Sequence, residues 1–446
     1  MDIIIAGDGE VGFYLARTLS KVKHNITVVD PHSELLKMLQ TDSDLLTIAG
    51  KSTSIETLKD AGVGNCDLLI SVLHEESINI ITCLIGKRLG AKRTIARVNS
   101  IEYLNEDNKS MFKSLGIDEM VCPERIAAKE ITNLLTRNTA TEVFDFSNGL
   151  LSIYMTRLDN QAAFINKTLA QTAKDYPQME ARIVCIIRKG KTIIPSGDDV
   201  YMNDDLVYLL AKSDSIQVVK ELINKKDYQI KNAIIIGGGR IGKRASMNLQ
   251  DSIDIKLIEQ DKNKCFDLVD QLNRAMIING NGSDINLLMD EGLSDTDAFI
   301  ATTDSTETNI LSCLHAHKHG VKKTIALVEN INYIDVSQDI GIDTIINKKL
   351  ITASYIARFT LNADVTSSKW LSGIDAEVVE VIVQDKALAT KKPIMELDIP
   401  KGVSIGGVIR EGVSYIAKGD FQIESGDKVV AFTIPESANK LMKLFN

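Results

Sequence analysis

No stretch of the chain is rich enough in Lys and Arg to replace phosphate counterions along a nucleic acid, and the net charge of −9 points the same way. Nucleic acid is therefore not an expected partner. No apolar run approaches the roughly 20 residues needed to span a bilayer. Met1 and Asp2 lead straight into a strand-like run, without the basic segment and small-residue cleavage site of a secretory signal. The closing Phe445-Asn446 offers no prenylation box. The six cysteines (Cys66, Cys83, Cys122, Cys185, Cys265 and Cys313) lie far apart, with no Cys-x-x-Cys pair. That scatter predicts buried, reduced thiols in a cytoplasmic protein rather than a disulfide framework. Any membrane role is expected to come through a partner.

What the chain does have is a repeat. IIIAGDGEVG near the start and IIIGGGRIG further on place Gly7 and Gly237 in matching positions, 230 residues apart. TVVD at 27–30 answers KLIE at 256–259, and DLLISVLHEESINI at 67–80 answers DAFIATTDSTETNI at 297–310. TIARV at 94–98 answers TIALV at 324–328, and LGID at 115–118 answers IGID at 340–343. IPSGDDVYMNDDLVYLL at 194–210 answers IAKGDFQIESGDKVVAF at 416–432. Matches in the same order over nearly the whole of 446 residues are a tandem duplication.

Within each copy, short branched runs alternate with helix-length segments such as ESINIITCLIGKRLG. Nearly all-apolar strands in that alternation predict an α/β fold, a doubly wound, Rossmann-like parallel sheet buried on both faces. Near residues 143 and 372 the pattern changes to shorter alternating strands, EVFDF, LLSIYMTR, RIVCIIRKGK and DDLVYLL, with KTLAQTAKDY as an intervening helix. Each copy is thus expected to end in a small α+β domain of about 75 residues. The expected division is 1–140, 141–225, 231–362 and 370–446, with the polar NKKDYQIKN at 224–232 as the joint.

A lone Gly-x-Gly-x-x-Gly is as compatible with an empty tight turn as with a ligand. Here each follows a strand and opens a helix. In Gly7-Asp8-Gly9-Glu10-Val11-Gly12, Gly7 makes the turn, Gly9 lets backbone N–H groups approach a pyrophosphate, and Gly12 allows close packing of helix on strand. The helix from Val11 aims its positive end at the phosphates. Asp30, at the end of the second strand, is placed to accept from both ribose hydroxyls and to repel a 2′-phosphate, so NAD(H) is expected over NADP(H). Gly237-Gly238-Gly239-Arg240-Ile241-Gly242 and Glu259 repeat these roles.

On those residues, together with DSTETNI, Arg97 in IARV and the GDD and GD turns near the end of each copy, the chain resembles the TrkA family of potassium-uptake proteins. The resemblance spans residues 1 to 446 and implies two RCK (KTN) nucleotide-binding domains, each followed by a TrkA-C domain. It implies a cytoplasmic assembly, with a tetramer as the family expectation. That assembly would dock on an integral-membrane potassium-translocating subunit of the Trk or Ktr type and change its gate when nucleotides bind. It also implies NAD(H) as cofactor, with ATP and ADP as the ligands of related gating rings, and a nucleotide contact from Arg97. The same contact is expected from the fourth-strand ends, Leu73 and His74 in one copy and Thr303 and Asp304 in the other. Leu73 and His74 depart from the hydroxyl or acidic residues usual there.

The copies differ. Glu10 faces Arg240 across the repeat, and Arg97 faces Leu327, so the first site is expected to prefer NAD(H) and the second a different ligand such as ATP or ADP. Drift after duplication is the competing account. Asn79 and Asn309 are equivalent, and an interior hydrogen bond is the expected role for both. His315, His317 and His319 are not expected to bind metal, because the counterparts of the two that share a helix face are Ile85 and Leu89. Asp198-Asp199 reads as a turn rather than a calcium loop. An NAD-dependent oxidoreductase is the rival class, but no catalytic residues are expected. The small domains hold no His, and His24, His32 and His74 are not reproduced in the second copy.

Overall fold

Branched apolar runs too short for helices become the strands of four sheets in a computed structural model. It describes residues 1–7, 9–20, 24–32, 36, 45–136, 142–177, 179–188, 191–212, 214–223, 229–357, 359, 365–370 and 376–446. The first six strands are β1 (Asp2–Ala6), β2 (Asn25–Asp30), β3 (Leu46–Ala49), β4 (Leu68–Ser71), β5 (Arg93–Arg97) and β6 (Glu119–Val121). They form a parallel sheet in the order β3-β2-β1-β4-β5-β6. Every residue of β4 is buried, because apolar clusters lie on both faces of the sheet. One cluster is built on Leu58, Val63 and Leu69, the other on Cys83, Ala96 and Met120. The strand order reverses between β1 and β4, which opens a crevice at the carboxyl ends of the strands.

Five antiparallel strands follow: β7 (Glu142–Phe146), β8 (Leu151–Arg157), β9 (Ala181–Arg188), β10 (Lys191–Ile193) and β11 (Leu206–Lys212), in the order β10-β9-β11-β8-β7. The RIVCIIRKGK segment, expected as one strand, is divided, since Lys191 pairs back on Arg188. The second parallel sheet has β12 (Asn232–Ile236), β13 (Asp254–Glu259), β14 (Met276–Asn279), β15 (Ala298–Ala301), β16 (Lys323–Leu327) and β17 (Thr344–Ile346). Its order, β14-β13-β12-β15-β16-β17, repeats the first. The last sheet has β18 (Val365–Trp370), β19 (Glu377–Ile382), β20 (Val403–Arg410), β21 (Val413–Ile416) and β22 (Lys428–Thr433), in the order β18-β19-β22-β20-β21. Taken from its other edge, this is the topology of the first small sheet.

The chain forms two compact units. One comprises Met1–Ala127 with Asn347–Asn362, so the Lys348–Ala357 helix packs on the Glu10–Ser20 helix, and Tyr355 donates to Glu119 at 3.3 Å. The other comprises Ala128–Ile346 with Ala363–Asn446. There the two small sheets share a core, with Leu151, Ile153, Tyr208 and Leu210 against Val378, Ile409, Val430 and Phe432. A Cβ on Gly406 or Gly407 would stand 2.8 or 2.9 Å from the Leu210 side chain, so the two glycines set how closely the sheets approach. Each small sheet also carries one bidentate ion pair. Arg188 reaches both oxygens of Asp205, and Arg410 both oxygens of Asp427.

Candidate functional site

The second glycine turn is the more completely described. Gly237 has φ +94°, a conformation that favours glycine, and a Cβ there would meet the Thr302 carbonyl at 2.8 Å. Gly242 is tighter still. A Cβ would lie 2.0 Å from the Gly237 carbonyl oxygen and 2.7 Å from Thr302 Oγ1, so only hydrogen fits where the Arg240–Leu249 helix crosses the strand end. Gly239, the residue before that helix, has nothing within 4 Å of its missing side chain. No side chain caps the helix there. Open space before an uncapped helix start suits an anion, which the first-turn N–H groups and the helix dipole favour.

Glu259 ends β13 and is 7% exposed. One carboxylate oxygen accepts from the Gly238 amide at 2.8 Å and the other from the Asp261 amide at 2.8 Å. The acid therefore straps the glycine turn as well as facing the crevice, and each oxygen keeps a lone pair for a hydroxyl. Asn279 holds the strand end from the other side, donating to the carbonyls of Glu259 and Gln260 at 3.0 Å each. Sequence reasoning did not single out Asn279. Its signal is only that a polar residue closes the otherwise apolar β14.

In the first copy the same parts meet with different clearances. A Cβ on Gly12 would lie 3.1 Å from Gly7 Cα, and one on Gly7 would meet Val72 at 3.2 Å. The helix begins at Glu10, one residue before the expected Val11, because Phe13 N–H already bonds to the Gly9 carbonyl at 3.1 Å. Asp8 lies outside the described residues. Asp30 is 3% exposed at the end of β2, and its Oδ1 accepts from the His32 amide at 2.7 Å. His32 Nδ1 stands 3.1 Å from the same oxygen.

The ends of β4 and β15 are held by the paired asparagines. Asn79 Oδ1 accepts from Ser71 Oγ and the Leu73 amide at 2.8 Å each. Its Nδ2 donates to the carbonyls of Leu73 and Arg97, at 2.9 Å each. Asn309 likewise accepts from the Thr303 amide and donates to the carbonyls of Thr303 and Leu327, but its hydroxyl partner is Thr303 itself, because Ala301 stands at the place of Ser71. Both asparagines are interior staples, and they bring the ends of the fourth and fifth strands to one place. Leu73 is buried at 6% exposure and His74 is exposed, with its ring over the glycine turn. Its Nε2 would lie 3.4 Å from a Cβ on Gly9. Arg97 ends β5, and its Nε is buried with no hydrogen-bond partner among the described residues. Thr303 is half-buried and Asp304 exposed. Thr302 was not expected to matter. Its hydroxyl donates towards the carbonyls of Ile236 and Gly237 at 3.1 Å each, and Val72 holds its place in the first copy.

Elsewhere the chemistry is structural. All six cysteines are buried and free, and burial pushes Cys66 up to about 11 and Cys185 to about 12. Asp199 closes its turn by accepting from the Ser196 amide at 2.7 Å. The described residues contain no group of His, Cys, Asp and Glu arranged to hold a metal. A cavity of about 680 Å³ lies between the small sheets, with Lys174, Arg182, Lys212, Tyr415, Lys418 and Phe421 in its wall. Arg182 spans it, donating to the Ala417 carbonyl at 2.6 Å.

The description "TrkA-N domain" fits residues 3–123 and 233–348, and "TrkA-C domain" fits residues 378–446. The Trk system potassium uptake protein TrkA of Halomonas elongata is 31% identical over 438 residues, covering 97% of this chain and 96% of that one. TrkA of Haemophilus influenzae is 31% identical over 451 residues, covering 100% and 98%. Among solved structures, the RCK domain of GsuK superposes over 100% of this chain and 94% of that one, with a TM-score of 0.61 at 18% identity. The GsuK channel bound to NAD also gives 0.61 at 18% identity, covering 100% of this chain and 78% of that one. These two show the fold, a pair of RCK-type units. No helix among the described residues is long and apolar enough to cross a membrane. The potassium-uptake relatives match along almost their full length, and the chain belongs to the TrkA family rather than to an enzyme family.

Proposed function

We propose that the chain is the nucleotide-sensing regulatory subunit of a Trk- or Ktr-type potassium transporter, held at the cytoplasmic face of the membrane by its translocating partner. Its working units are 1–140, 141–225, 231–362 and 370–446, in a homo-oligomer, as a tetramer. Nicotinamide and adenine nucleotides are its ligands, namely NAD(H) and ATP or ADP. The observation that carries this reading is the pair of glycine turns at equivalent switch points, each facing a buried acid at the tip of the neighbouring strand. Relatives named for potassium uptake, and GsuK structures described as bound to NAD and to ADP, support it.

Gly7, Asp8, Gly9, Glu10, Val11 and Gly12 with Gly237, Gly238, Gly239, Arg240, Ile241 and Gly242 cradle phosphates. Asp30 and Glu259 take ribose hydroxyls. Leu73, His74, Arg97, Thr303 and Asp304 meet the rest of the ligand. No bond is made or broken. A ligand whose affinity differs between two arrangements of the assembly biases the gate by that difference in free energy. Isothermal titration with NADH, NAD, ATP and ADP tests the reading, followed by potassium flux through the reconstituted membrane subunit with and without the binding nucleotide. One or two sites per chain, the first lost in Asp30→Ala, and a nucleotide-dependent flux are the expected results. No binding by any of the four refutes the reading.

A further inference from the structure

The two crevices differ where a ligand would continue beyond its first phosphates. We infer that the first site takes an adenine mononucleotide with a terminal di- or triphosphate, ADP or ATP, and the second a dinucleotide, NAD or NADH. This rests on the nucleotide binding proposed above. A ligand in a doubly wound sheet lies across the carboxyl ends of the strands, with its phosphates at the glycine turn and its first nucleoside on the side of the second strand. The acids at that strand tip are alike in the two copies, Asp30 and Glu259, both buried. Past the glycine turn, the remainder of the ligand runs over the ends of the fourth and fifth strands, and there the copies are unlike.

In the first copy that side is a set of N–H donors. The His74 ring overhangs Gly9, and Arg97 ends β5 with a buried Nε that no described residue satisfies. A guanidinium is the side chain best matched to paired phosphate oxygens, and a charge-assisted bond to phosphate is about twice as strong as a neutral one. An uncharged ribose offers less to either group. The second copy has the opposite lining. Asp304 is an exposed acceptor, Leu327 is 4% exposed in place of the arginine, and the space over Gly239 is open. A carboxylate repels a terminal phosphate and accepts from ribose hydroxyls. The open glycine leaves passage for a second nucleoside. This reverses the assignment expected from the sequence, which set Glu10 against Arg240 and Arg97 against Leu327 without the overhang of His74 on Gly9, the buried Nε of Arg97 or the open space at Gly239.

The test is titration of the full chain with ADP, ATP, NAD and NADH after closing one site at a time. The Cβ of Gly239→Val enters open space, with nothing within 4 Å, and that of Gly9→Val meets the exposed His74 ring at 3.4 Å, so each valine projects into its own crevice. With the second site closed, the chain is expected to bind ATP and ADP at least tenfold more tightly than NAD or NADH. With the first closed, that preference is expected to invert. In the Gly239→Val background, His74→Asp with Arg97→Leu is expected to remove the preference for ATP and ADP, and circular dichroism matching the parent shows that the fold survives. Equal preference at the two sites, or a preference that survives the exchange, overturns the inference while leaving nucleotide sensing intact. Failure of the unaltered chain to bind any of the four removes both.

Discussion

Replacing Gly242 by Ala is the sharpest test of how the second turn is built. The added Cβ would stand 2.0 Å from the Gly237 carbonyl oxygen and 2.7 Å from Thr302 Oγ1. The first of these is backbone and cannot rotate away, so the helix has to withdraw from the strand by more than 1 Å, by the usual carbon–oxygen contact distance of about 3.2 Å or more. Overpacking of this kind costs about 1–3 kcal/mol, and an immovable partner puts Gly242→Ala at about 3 kcal/mol. Gly239→Ala is the control. Its φ is −65° and nothing lies within 4 Å, so losing the small preference for glycine before a helix should cost less than about 1 kcal/mol. Gly12→Ala, whose Cβ would meet Gly7 Cα at 3.1 Å, falls between them. One unfolding free energy is not well defined for a chain of several domains, so the assay is amide hydrogen exchange read at β1 and β12. Expected protection falls in the order Gly239→Ala, Gly12→Ala, Gly242→Ala. Equal protection in Gly239→Ala and Gly242→Ala would show that the helix does not pack on the turn as described.

Asn79→Ala strips partners from Ser71, Leu73 and Arg97 together, and about 3 kcal/mol of local stability should be lost. Faster exchange at the Leu73 amide than in the parent checks this, and unchanged exchange counts against the staple. Arg410→Met leaves Asp427, 2% exposed, without its bidentate partner and should destabilise the second small sheet by about 2 kcal/mol or more, whereas Arg410→Met with Asp427→Leu should cost less. Amide hydrogen exchange at β20 and β22 in the two variants, compared with the parent, reads the difference, and equal protection in both would count against the ion pair's role. Burial, with a smaller push from the N-terminal charge, lowers His24 from its ordinary 6.5 to about 4. Between those values the unfolded chain binds a proton that the folded chain refuses. The stability due to neutral His24 is therefore complete above about 6.5 and is lost as pH falls towards about 4. His24→Gln should flatten that part of the acid limb, and an identical acid limb in both proteins would contradict it.

The repeat, the strand–helix alternation and the two glycine turns were legible from residue types alone. They depend on local rules: period, turn chemistry and the need to bury both faces of a parallel strand. The staples at Asn79 and Asn309 were legible as a matched pair, because their duplication marked them before any contact was known. Asn279 and Thr302 were not, since a single polar residue at a strand end has many uses. The division of RIVCIIRKGK into two strands also escaped, because an alternating run looks the same whether it continues or folds back.

By itself, the sequence determined the duplication, the α/β class and the family-like positions of the turns and their acids, because those are set by spacing along the chain. Only the tertiary structure decided that Gly242 is closed by backbone and Gly239 open, and that His74 overhangs Gly9. The same holds for the Nε of Arg97, unsatisfied among the described residues, and for the two glycines that let the small sheets share a core. Those facts are distances between residues far apart in the chain, fixed by how helices and sheets pack, and no spacing rule carries them.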